Sequence, residues 1–111
     1  MNMYIIILSY KRIDKIEERL TEHRIFLDKY YAVNKFICSG AQIPRTGGII
    51  FCNADSKTEV EKIISEDPFY INKIATYETI EFNPTKYAPD FKYLFKFKKK
   101  RLPFSFRNAA F

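Results

Sequence analysis

Two periodicities of apolar residues organise this chain. Met3-Tyr-Ile-Ile-Ile-Leu-Ser-Tyr10 is a nearly unbroken apolar run, rich in β-branched and aromatic residues, and it predicts a strand. Continuous rather than alternating patterning predicts that both faces of that strand are covered. From Arg12 to Val33 the period lengthens. Ile13, Ile16, Leu20, Leu27 and Tyr30 or Tyr31 recur at three- and four-residue spacing, which predicts a long helix with one buried stripe. Asp14, Glu17 and Glu18 occupy its first turns, where the helix dipole favours carboxylates, and Asn34 supplies a stop.

Phe36 to Gln42 predicts a second strand, ended by the turn-forming residues Ile43-Pro-Arg-Thr-Gly-Gly48, and Ile49 to Ala54 a third. With the turn centred on Arg45, Cys38 and Cys52 are expected near each other across the hairpin. Asp55 or Ser56 caps a second helix. Ser56 and Glu59 have the spacing of a capping box, and Val60, Ile63 and Ile64 form the apolar face. Pro68 prevents that helix from running past Asp67 without a break. Phe69 to Ala75 is expected to be a short helical turn or loop, and Thr76 to Phe82 alternates as a fourth strand before Asn83-Pro84.

The order β-α-β-β-α-β is the ferredoxin-like arrangement of the α+β class. Right-handed crossovers then require a four-stranded antiparallel sheet with two helices on one face. Two helices cover one face only, yet the first and third strands are apolar on both. A second copy of the chain packed against the open face resolves this, so a homodimer is expected.

At 111 residues the chain suffices for one domain with one core. Its longest apolar run is far short of the ~20 residues that cross a bilayer, so no membrane-spanning segment is expected. It also lacks the pattern of a secretory signal, and a cytoplasmic location is expected. Two cysteines are too few for a disulfide framework, and each lies in an apolar strand-like run, so both are expected to be reduced, buried thiols. The net charge of +6 is unevenly placed. Residues 1–83 carry 11 basic and 12 acidic residues, whereas residues 84–111 carry 8 and 1. The division predicts a near-neutral domain over 1–83 and a basic, aromatic C-terminal extension over 84–111.

Candidate chemistry centres on the lone histidine. His23 interrupts the apolar stripe between Leu20 and Leu27. Such a histidine is commonly a hydrogen-bonded core residue; the alternative is a general base. The topology permits it to converge with Asp67, at the end of the second helix, and with Ser39 on the second strand. Asp67 could then accept an imidazole N–H and set the tautomer, although an aspartate before proline is also an ordinary helix stop.

His23-Arg-Ile-Phe-Leu-Asp28, Ser39-Gly-Ala-Gln-Ile-Pro-Arg-Thr-Gly-Gly48 and Asp67-Pro-Phe69 together resemble the YciI-like (YCII-related) family. The resemblance spans Met1 to about Asn83. It implies a dimeric α+β barrel of ferredoxin-like subunits and an active site built on a histidine–aspartate pair, which by position is His23 and Asp67. Ser39 and Arg45 fall in the matching strand-and-turn motif and are implied as substrate-binding residues. One branch of the family is associated with dehydrochlorination of a chlorinated hydroxyquinol.

The expected function is therefore elimination or isomerisation of a small organic molecule. No cofactor is expected, and no metal, because the residues form no ligand cluster. A non-catalytic ligand-binding dimer would use the same residues. Nucleic-acid binding is expected only through the basic tail, since the third strand lacks the basic-glycine-aromatic pattern of RNA-recognition domains.

Overall fold

The computed structural model of the protein describes residues 2–91. Strand β1 (Asn2–Tyr10) is followed by helices α1 (Ile13–Glu18) and α2 (Leu20–Ala32), then by β2 (Phe36–Ala41) and β3 (Gly47–Ala54). Helices α3 (Lys57–Ile64) and α4 (Pro68–Ile71) lead to β4 (Ala75–Phe82). The strands form one antiparallel sheet in the order β2-β3-β1-β4, which is the ferredoxin-like arrangement. Among the described residues no helix is long and apolar enough to cross a membrane.

The core lies between the sheet and the helices. Tyr4, Ile6 and Leu8 of β1, with Ile50 and Cys52 of β3, bury against Ile16, Phe26, Val60, Ile63, Ile64 and Phe69. Period-2 alternation places Ile5, Ile7, Ile49 and Phe51 on the opposite face, where they are half-buried. Register puts Ile5 beside Phe51 and Ile80, and Ile7 beside Ile49. The open face is thus apolar at its centre, as the patterning of β1 and β3 requires.

Several local features differ from the sequence expectation. The first helix is divided at Arg19, whose amide bonds to the Ile16 carbonyl three residues back, the tighter 3₁₀ pattern. No proline or glycine marks that break. Ile13 is 48% exposed, and Phe26, absent from the expected stripe, is buried instead. Cys38 and Cys52 do not face each other. A bulge between Phe36 and Cys38 places Cys52 opposite Phe36 and Cys38 opposite Phe51, so one thiol is buried in the core and the other is exposed. The segment after Asp67, by contrast, takes the short helical form, one of its two expected states, as α4.

Other boundaries follow the expected chemistry. Ser56 accepts the Glu59 amide at 3.1 Å, and the Glu59 carboxylate reaches back to the Asp55 amide at 2.8 Å. Asn34 takes a positive φ of 62°, and the Asn34 and Lys35 amides bond back to Tyr31 and Tyr30, closing α2 as a Schellman motif. The basic and aromatic cluster Phe95 to Arg101, on which the nucleic-acid reading of the tail rests, lies outside the described residues.

Candidate active site

His23 is the fourth residue of α2, and its ring lies flat on Phe69 with centroids 4.1 Å apart and planes inclined by 7°. Phe69 is fixed by its burial in the core. Its neighbour Asp67 is placed by local chemistry. The Asp67 side chain caps α4 by accepting the Phe69 amide at 3.0 Å, and Pro68 occupies the first helical position, where no amide is needed. The same sequence, Asp67-Pro-Phe69, therefore supplies a carboxylate and a flat surface for one imidazole.

The His23 Nδ1 lies 2.8 Å from Asp67 Oδ1. A carboxylate can only accept, so Nδ1–H donates, and Nε2 is left with the lone pair. The other carboxylate oxygen, Oδ2, accepts the Tyr77 hydroxyl. Burial above all, and then the charge of Asp67 and the bond to it, hold the Tyr77 hydroxyl well above the ordinary tyrosine range. Tyr77 consequently serves as a proton donor in this bond and not as a base. Three donors thus converge on a carboxylate that water does not reach: the Asp67 side chain is 0% exposed and that of His23 12%. Any effect of Asp67 on a bound molecule must pass through the imidazole.

His23 forms part of the wall of a cleft of about 580 Å³ between α1, α2 and the β2–β3 end of the sheet. Leu8, Leu20, Leu27 and Ile50 give the lining its apolar part, and Ser39, Arg45 and Arg24 add polar groups. That combination of size and lining suits a small organic ligand. The structure brings Ser39 and Arg45 to the same cleft as His23, while Asp67 stands behind the imidazole. The Ser39 hydroxyl is 2.6 Å from that of Tyr31. Arg45 pairs with Glu17, and its guanidinium lies over the Tyr10 ring at 5.8 Å. Gly40 has open space where a side chain would begin, which leaves the strand accessible beside Ser39.

Sequence reasoning missed Tyr77, Tyr31 and Arg24. Tyr77 sits at an inward position of an alternating strand, and Tyr31 belongs to a helical stripe, so neither pattern separates a hydrogen-bonding tyrosine from a packing one. Among the described residues no group of three or more His, Cys, Asp and Glu side chains is placed to hold a metal ion.

No curated protein matches this sequence. A solved structure of 5-chloro-2-hydroxyhydroquinone dehydrochlorinase from Burkholderia phenoliruptrix, in complex with 2,5-dihydroxybenzoquinone, is similar in fold. The TM-score is 0.59 at 19% sequence identity, over 78% of this chain and 97% of that one. The model of the YCII-related domain matches residues 3–83, from β1 through the end of β4, and the chain belongs to that family.

Proposed function

We propose that the chain is a small-molecule enzyme of the lyase or isomerase type, in which His23 removes a proton from a substrate held in the cleft. The observation that carries this reading is the bond from a slightly exposed imidazole to a fully buried carboxylate, at the wall of a cleft with both apolar and polar lining. The Asp67 carboxylate fixes the tautomer and favours the imidazolium that forms. The proton passes from the substrate to Nε2. The electron pair of the broken bond then expels a leaving group, which is elimination, or accepts a proton at another atom, which is isomerisation. Ser39 and Arg45 would hydrogen-bond substrate oxygens. The dehydrochlorinase of similar fold performs an elimination and was solved with a small ring compound. By analogy the substrate here is a ring compound of that size. Residues 1–83 would form the functional unit, working as a two-fold dimer through the open sheet face.

A panel of quinols, lactones and small carboxylates, screened first for thermal shift and then for product, would identify a substrate. With it, His23→Ala is expected to lower kcat by about 10²–10⁴-fold. Asp67→Asn, which keeps the shape but not the charge, is expected to lower kcat with little change in KM. Conversion by His23→Ala at the parent rate would overturn the proposal. Ligands that bind without turnover would favour a non-catalytic binding protein.

A further inference from the structure

Arg24 follows His23 on α2 and lines the same cleft. The other charged side chains of that lining are Glu17 and Arg45, and they pair with each other. Among the described residues Arg24 makes no ion pair and no hydrogen bond through its side chain. Asp28, one helical turn away, does not pair with it and does not line the cleft. With His23 neutral, the lining therefore carries two guanidiniums against one carboxylate, and the uncompensated charge belongs to Arg24.

An unpaired cation at the rim of a cleft attracts an anion, and because Arg24 is exposed to solvent that attraction is screened by salt. A guanidinium is also the side chain whose planar fork matches two oxygens of a carboxylate. Nearby, the Ser39 and Tyr10 side chains supply neutral hydrogen-bonding groups, while Leu20 and Leu27 would cover a ring. Arg45 is the weaker anchor because Glu17 already satisfies its charge.

We infer that the cleft takes a small organic acid in its anionic form, and that Arg24, rather than Arg45, holds the anionic group beside His23. The inference rests on the cleft being the substrate site, but it concerns binding and not proton transfer.

Benzoate and benzamide differ in charge and hardly in shape, so their comparison isolates the role of Arg24. Each would be titrated into the full-length ¹⁵N-labelled protein, with the amides of Gly40 and Gly48 reporting on the cleft. Benzoate is expected to bind roughly tenfold or more tightly than benzamide, with a preference that shrinks as salt is added. Arg24→Gln should erase the preference and leave benzamide binding unchanged. Arg24→Lys should retain part of it. Arg45→Gln alone would leave the Glu17 carboxylate unpaired in the cleft, so the ion pair is removed as a unit, and Glu17→Gln/Arg45→Gln should retain most of the preference. Equal binding of the two probes, absence of benzoate shifts at the cleft amides, or loss of the preference in Glu17→Gln/Arg45→Gln instead of Arg24→Gln would each overturn the inference. Benzoate selectivity through Arg24 in a protein whose turnover does not depend on His23 would leave the inference standing and remove the catalytic proposal.

Discussion

Asp67 shows how much of this site depends on single residues. It is buried, carries no solvent contact, and is satisfied by the Phe69 amide, the His23 imidazole and the Tyr77 hydroxyl. Tyr77→Phe keeps the ring and deletes one donor. It is expected to cost about 1.5–3 kcal/mol of stability at neutral pH, since the lost bond was made to a charged group. It should also change the response to alkali. In the unfolded chain the Tyr77 hydroxyl ionises at about pH 10. In the folded chain burial first, and then Asp67, keep it protonated to higher pH. The native state thus binds more protons than the unfolded state above that point, and stability falls as pH rises through it; below it Tyr77 contributes no slope. Tyr77→Phe should therefore show a shallower alkaline loss. The residual slope comes partly from Tyr4, whose hydroxyl is raised mainly by burial. Urea midpoints measured between about pH 8 and about pH 11 would check both effects. His23 and Asp67 could be singled out in the sequence because each breaks a pattern, a histidine in an apolar stripe and an aspartate locked before proline. Tyr77 breaks none, and its role depends on where Asp67 points.

At the scale of elements, α2 and α4 end in the same way. The residue after each helix cap has positive φ, 62° at Asn34 and 57° at Lys73, and the two following amides close Schellman bonds. Asparagine tolerates that conformation, whereas lysine is strained in it. Lys73→Gly is expected to stabilise the fold by about 1 kcal/mol, and Asn34→Ala to destabilise it by a similar amount, both read from chemical denaturation midpoints. Asn34 was legible as a stop because its residue type matches the conformation. Lys73 was not, because its type argues against it. Gly47 and Gly48 have the residue type of a turn, yet they begin β3 and pair with Ser9 and Leu8. The reason is tertiary: a Cβ on Gly47 would lie 1.8 Å from the Leu8 carbonyl oxygen. Gly47→Ala must push backbone against backbone and is expected to cost about 1–3 kcal/mol, measured the same way. The order of elements was legible because periods of 2 and 3.6 are local properties. The break at Arg19 and the bulge before Cys38 were not, because they answer to packing between elements.

For the molecule as a whole, the apolar second face of the sheet requires a cover. Ile5, Ile7, Ile49 and Phe51 lie at its centre, and Ile80 and Phe82 extend the apolar surface to β4, where they are 45% and 40% exposed. A continuous patch of this kind on two central strands is unusual for a solvent-facing sheet, whose outward positions are ordinarily polar. Its regular register suits the same face of a second copy, since a two-fold axis brings identical patches together. The cleft opens on the helix side of the sheet, so two copies joined this way would each keep a complete His23–Asp67 pair. The full-length protein is therefore expected to show twice the chain mass by light scattering at micromolar concentration. Phe51→Glu, which sets a charge at the centre of the patch, should shift that mass toward the single chain. Its far-UV circular dichroism should remain that of the parent, because Phe51 lies outside the core that the helices cover. A single-chain mass for the parent protein would mean that no second copy covers the patch, and the dimer would have to be abandoned while the His23–Asp67 chemistry remained open to its own test.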